Sequence, residues 1–261
     1  MAEAAQTRLI GEFASPDISK KLRDTSILCL PLGATEQHGP HLPLETDTVI
    51  AEELTRLLVA RFGDEFDLWR LPVISVGLSR EHAWAEGTKS LSISAFVTLL
   101  RDLAQNLART LPARNLLIVN GHGGNRGILQ NLIYELQDDF GFNVCVLHPF
   151  VLSKIAMESA LPEIHAGKDE TSVMLAIAPH LVRMDRVSVL KNPPKKTAVE
   201  RFILDQGVSW AWSSGDKRIA DQGVTGEAHA ASAELGKRII ESILTEARPV
   251  LSTLLENQRR K

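Results

Sequence analysis

Residues 26–33, SILCLPLG, run directly into ATEQHGPHLPLETD (34–47), and the reading of the whole chain turns on this junction. The first eight residues are too short for a helix and too apolar for a sheet edge, so they read as a strand buried on both faces. Similar runs recur at LPVISVG (71–77), LLIVNG (116–121) and NVCVLH (143–148). Between them, residues 49–62, 95–111 and 128–139 place apolar side chains at three- and four-residue steps with charges opposite, the pattern of crossover helices. Further helices fit 169–178 and 230–247, where Ala233, Leu235, Ile239, Ile240, Ile243 and Leu244 make a stripe. The alternation predicts an α/β fold with a mostly parallel sheet flanked by helices on both faces.

Composition supports a folded chain that needs no staples. At 261 residues, with 44% hydrophobic and 23% charged residues, one domain spanning 1–261 is expected, and its core does not depend on disulfides or a structural metal. Metal ligands are then free to serve chemistry. A net charge of −3, with no long run of one sign, argues against nucleic acid as the main partner. The basic end, Arg259, Arg260 and Lys261, reads as a solvated tail. Cys29 and Cys145 each lie in an apolar run, as buried thiols in a reducing compartment do. With no cationic head before an apolar stretch and no 18-residue apolar window, neither a signal peptide nor a membrane span is expected, and a cytoplasmic location is. The stretch 188–226 breaks the alternation with Pro193-Pro194, several glycines, Trp210 and Trp212, and reads as a long excursion or hairpin.

Parallel sheets bind ligands at the carboxyl ends of their strands, and there the polar residues concentrate. The loop after the first strand carries Glu36 and His38, two apart and able to face one pocket, and Asp47, which the bends at Gly39, Pro40 and Pro43 can return to it. The loop after LLIVN puts His122 on a bare glycine elbow, NGHGGN. A third loop, IHAGKDETS, supplies His165 and Glu170. Taken singly, a loop histidine is a surface residue, and Asp47 or Glu170 a helix-start acid favoured by the dipole. Together, two histidines and three carboxylates from three loops suffice for two divalent ions sharing a bridging carboxylate. His82, in SREHAWAEGT, is placed to line the pocket. Glu45, His41, His148, His180 and His229 lack such support and read as solvent-facing or hydrogen-bonded residues.

The blocks LPLGATEQHGPHLPLETD, NGHGGN, HAGKDETS and GVTGEAHAASAELG, in this order over about 26–245, resemble the signature blocks of the creatininase family of metal-dependent hydrolases. The resemblance implies a three-layer α/β fold, two ions of Zn, Mn or Fe per chain, and a homo-oligomer, commonly a hexamer. By motif position, one metal takes Glu36, Asp47 and His122, the other His38, the bridging Asp47 and a further carboxylate; His165 matches the catalytic histidine. In creatinine hydrolases the residues after NGH are an aromatic and a ligating glutamate, whereas Gly123 and Gly124 stand here, so Glu170 is the substitute ligand. The tryptophans those enzymes place before the HAG block are missing from FVLSKIAMESALPEIHAG, and Ala85 and Glu86 replace an aromatic and a proline in AWAEGT.

The expected reaction is hydrolysis of a small compact amide, lactam or formamide, with His165 protonating the leaving nitrogen. A cyclic-ketone hydrolase of sugar or inositol catabolism using the same site is the alternative. A metal-binding module without turnover is a third reading, opposed by the open positions that catalytic sites keep.

Overall fold

A computed structural model describes residues 8–155, 161–187, 195–204 and 207–259. The Pro193-Pro194 pair, the end of the basic tail at 260–261 and part of the 150–167 segment lie outside the described residues. In chain order the elements are α1 (Ser15–Lys21), β1 (Ile27–Leu32), α2 (Thr46–Phe66), β2 (Leu68–Arg70), α3 (Ile93–Thr110), β3 (Asn115–Asn120), α4 (Arg126–Phe140), β4 (Asn143–Leu147), α5 (Pro149–Leu152), α6 (Lys168–Ile177), α7 (Lys196–Phe202) and α8 (Ala233–Arg259).

The four strands form one parallel sheet in the order β2-β1-β3-β4. Side chains alternate across it as the pleat requires. Ile27, Cys29, Leu117 and Val119 pack with α2, α6 and α8, while Leu28, Leu30, Leu32, Leu116 and Ile118 pack with α3 and α4. The result is the expected three-layer α/β arrangement. On α3, Phe96, Leu100, Ala104 and Leu107 form the buried stripe. Burial of each of its large apolar side chains contributes about 1.5–3 kcal/mol. The same helix is capped by Ser92 Oγ, which accepts from the Ala95 amide at 3.1 Å, worth about 1 kcal/mol.

Three expectations need correction. The second strand is Leu68–Arg70, and 71–77 is not a strand but an extended connection with single bridges to Leu32 and Ser90. Pro31 lacks the N–H that would continue the ladder, so after Cys29 O accepts from Leu71 N the pairing resumes only where Ile74 N reaches Pro31 O and Gly33 N reaches Ile74 O. Helix α8 runs past 247 to Arg259 through Pro249, because Ala247, Leu251 and Leu254 continue the buried stripe. Among the described residues, the 188–226 excursion is no hairpin: it holds α7 and then lies across the carboxyl ends of the strands. No helix among the described residues is long and apolar enough to cross a membrane, and both cysteines are free thiols.

The chain leaves β1 toward β2 on one side and reaches β3 on the other, so the carboxyl ends of β1 and β3 flank the switch point of the sheet. A crevice opens there.

Candidate active site

Into that crevice the loop after β1 sends Glu36 and His38, the first turn of α2 sends Asp47, and the loop after β3 sends His122; all four are buried. Gly121 and Gly124 let these loops close. A Cβ on Gly121 would stand 2.4 Å from Asp47 O, and one on Gly124 2.1 Å from Leu78 O, so no larger residue fits at either place.

Asp47 stands between the two histidines. Its Oδ1 is 3.2 Å from His38 Nε2 and its Oδ2 is 2.9 Å from His122 Nδ1. Glu36 Oε1 lies 3.4 Å from His122 Nδ1, and Glu170 Oε2 lies 4.0 Å from His38 Nε2. The far side of each imidazole faces a backbone carbonyl: His38 Nδ1 donates to Glu36 O at 3.1 Å, and His122 Nε2 donates to Leu78 O at 2.7 Å. These carbonyls fix the tautomers, turning the lone-pair nitrogens toward the carboxylates.

The charges oppose burial and are held by one another. Burial alone would push His38 down, but Asp47 carries it up to about 9. His122 likewise rises well above the usual imidazole range through Glu36 and Asp47, and Asp47 falls well below the carboxylate range against both histidines, each shift overcoming burial. Burial pushes Glu170 up to about 7. Positive charge is thus required at two points between acids, and protons supply it when no cation does. Glu36 Oε2 is buried without a hydrogen bond, and Asp47 Oδ2 has one only when His122 Nδ1, 2.9 Å away, carries a proton. Two triads, Glu36–Asp47–His122 and His38–Asp47–Glu170, each bring their ligating atoms within 4.8 Å of one another and share Asp47. Unpartnered oxygen and imidazole nitrogen donors of this kind fit divalent zinc or manganese.

His165 joins the same cluster. Its Nε2 donates to Gln37 O at 2.7 Å, leaving Nδ1 3.6 Å from Glu36 Oε1. Burial, then the charges of His38 and His82, hold it well below the usual imidazole range, so it is neutral and its Nδ1 is a proton acceptor. The turn bearing it is pinned: Thr225, at the end of the excursion, exchanges backbone hydrogen bonds with His165 at 3.1 and 2.9 Å, and Ala166 is held at a left-handed φ of 51°. His82 stacks on His165 with ring centroids 4.0 Å apart and points Nε2 at Glu36 Oε1, 3.4 Å away. Its Nδ1 bonds Ser214 Oγ at 2.7 Å, and Gln37 Nε2 donates to Gly223 O at 3.1 Å. The excursion therefore closes one side of the site.

The structure brings Glu36, His38, Asp47, His122, His165, Glu170 and His82 together. Of the residues set aside, His41 is buried and bonded to Thr171 Oγ1 at 2.8 Å, whereas His148 both bonds Asn120 and lines the cavity. Sequence reasoning missed Glu81, which lines the cavity and whose Oε1 lies 3.0 Å from where a Gly124 Cβ would stand. Its signal was its place one residue before His82. The cavity measures about 690 Å³ and continues past the cluster along α4 and α5.

The family model for creatininase, creatinine amidohydrolase, matches residues 11–251. The mycofactocin precursor peptide peptidase of Mycobacterium tuberculosis (strain ATCC 25618 / H37Rv) is 33% identical over 248 residues, covering 91% of this chain and 89% of that protein. The creatinine amidohydrolase of Pseudomonas putida is 29% identical over 236 residues, covering 82% and 84%. A solved structure described as creatininase Mn superposes with a TM-score of 0.78 at 25% identity, covering 97% of this chain and 99% of that one.

Proposed function

The chain belongs to the creatininase family, and from that premise we propose that it is a metal-dependent hydrolase of C–N amide bonds in small molecules, with Glu36, Asp47 and His122 holding one divalent ion and His38, Asp47 and Glu170 a second. The observation that carries this reading is the pair of donor triads sharing Asp47. Zinc or manganese fits the donors, and ions of this kind, when bound, lower the pKa of water and polarise a carbonyl. Both relatives named above act, by their names, on amide or peptide bonds.

The chain's own groups account for the proton movements. His165 Nδ1 takes a proton from the attacking water and returns it to the departing nitrogen, so that amide and water become acid and amine. The carbonyl of Gln37 holds the ring for this exchange, since its hydrogen bond at Nε2 leaves Nδ1 free. His82, stacked on His165, limits its rotation. The cavity, about 690 Å³, admits amides from a compact lactam or formamide up to a short peptide.

The test is amine release from a panel of lactams, formamides and dipeptides by protein stripped with a chelator and then resupplied with zinc or manganese. Activity on at least one amide that disappears on stripping and returns with metal is the expected outcome. A fully resupplied protein that cleaves no amide would sink the reading.

A further inference from the structure

On the β4 side of the metal cluster the cavity has a second, differently charged wall. Arg126, the first residue of α4, is the one Lys or Arg among the described residues lining the cavity, and its guanidinium makes no ion pair or hydrogen bond with any of them. His148, at the end of β4, faces the same space. Asn120 Nδ2 donates to His148 Nδ1 at 3.1 Å, which places the ring proton on Nε2 as a donor. Burial first, and then the positive charge of Arg126, hold His148 down to about 4, so the ring is neutral, and both residues line the one cavity. Asn120 Nδ2 also donates to His122 O at 2.6 Å, tying this wall to the loop that bears a proposed ligand. Added Cβ atoms at Gly123 and Gly127 would meet nothing within 4 Å, so the backbone beside Arg126 borders open space. Pro149, Phe150 and Val151 supply an apolar flank.

Apart from His122, which Glu36 and Asp47 face, the rest of the charged lining is acidic: Glu81, Glu163 and Asp169 join Glu36, Asp47 and Glu170. Away from the proposed metal positions, Arg126 is the one cationic side chain that the described lining residues offer an anionic group. We propose that Arg126 and His148 form a specificity subsite for a substrate carboxylate, so that the amide cleaved belongs to an N-acyl amino acid or short peptide with a free C-terminal carboxylate and an apolar last residue. One planar guanidinium matches one carboxylate bidentately, whereas a dianionic phosphate would leave surplus charge among acids. This proposal rests on the amide-hydrolase reading for its chemistry but not for its binding test.

The probes are N-acetylphenylalanine and N-acetylphenylalaninamide, which differ only in the carboxylate. Their binding to the full-length protein as purified is followed by calorimetry, with probe integrity checked afterwards. The free acid is expected to bind at least about 10-fold more tightly, an advantage that shrinks with added salt. Arg126→Gln is expected to abolish the advantage with an unchanged circular dichroism spectrum, and Arg126→Lys to keep part of it. In turnover, Arg126→Gln raises KM for the free-acid substrate while kcat changes little. Equal binding of the two probes, binding of neither, or an advantage that persists in Arg126→Gln overturns the subsite. A carboxylate advantage without hydrolysis of any amide leaves the subsite standing and defeats the hydrolase reading; hydrolysis without the advantage does the reverse.

Discussion

Both ends of the sheet bury polar side chains, and they treat them in opposite ways. At the amino end, Asn115 and Asn143 open β3 and β4, and Ser26 precedes β1. Asn143 Nδ2 donates to Asn115 Oδ1 at 2.9 Å, Asn115 Nδ2 to Gln258 Oε1 at 2.8 Å, and Trp69 Nε1 to Asp67 Oδ1 at 2.8 Å, while Asp67 also accepts from Ser26 Oγ. Every buried polar atom of that network has a partner. At the carboxyl end, three carboxylates crowd together, the histidines meet them only through an added proton or cation, and Glu36 Oε2 accepts nothing. A satisfied network fixes strand ends and stabilises. A cluster of carboxylates and imidazoles brought within reach of one another instead favours a cation, and the difference separates the end that holds the fold from the end proposed to do chemistry.

Removing a group from each end should break different properties. The largest effect is expected from Asp47→Ala, because a carboxylate shared between two triads serves both positions. Elemental analysis should show both ions lost and amide hydrolysis should fall to background, while the chelator-treated variant melts within about 4 °C of the chelator-treated parent. Unchanged metal content would remove Asp47 from the ligand set. Glu170→Gln sharpens the point: loss of one ion and of activity supports ligation, and full activity returns Glu170 to a helix-start acid.

Next comes His165→Ala, which should keep its metals and melting temperature yet lose about 10²- to 10⁴-fold in kcat. The loss should shrink for amides whose leaving group is already acidic, since these depart without a proton. Metal loss in this variant would instead make His165 a ligand, a role its closeness to Glu36 and His38 allows. At the opposite end, Asn115→Ala should leave kcat and metal content alone. It removes the acceptor of one Asn143 Nδ2 hydrogen, the other still reaching Leu254 O, and the donor to Gln258 Oε1, at about 1–3 kcal/mol and several degrees of melting temperature. Lost activity at unchanged stability in Asn115→Ala would erase the contrast between the ends.

How far the sequence reached follows the same division. The strands β1, β3 and β4 and the helices α2, α3, α4 and α6 were legible because apolar periodicity is a local property, and the loops that carry Glu36, His38, Asp47, His122, His165 and Glu170 follow from the rule that ligands gather at strand carboxyl ends. The short β2 was misplaced because Pro31, on the neighbouring strand, removes a donor from the ladder, and pattern reading does not see across strands. Pro249 hid the last three turns of α8, where tertiary burial of Leu251 and Leu254 outweighs one missing hydrogen bond. Glu81 and the pinning of His165 by Thr225 were invisible for a related reason: both depend on contacts between segments far apart in sequence. The amino-end network was missed altogether, since buried asparagines at strand starts look like ordinary turn residues until their partners are known.

The smallest expected effect is a pH dependence confined to the carboxyl end, since the amino-end network described above contains no histidine. In protein without metal, His38 is held at about 9, above its ordinary 6.5. A raised folded-state value means that its stabilising contribution is fully present below pH 6.5 and is lost as pH rises through 9. His148, held down at about 4, does the opposite: its contribution is present above pH 6.5 and lost as pH falls through 4. Chelator-treated protein should therefore lose melting temperature between pH 7 and pH 10. Protein with bound ions should lose less, because His38 then carries a metal in place of a proton and has nothing to release. Substituting His38→Gln should flatten the alkaline slope of the stripped protein toward that of the loaded one. Equal slopes with and without metal in the parent would mean that the ion does not replace the proton on His38, and would withdraw this histidine from the second triad while leaving the satisfied amino end as it stands.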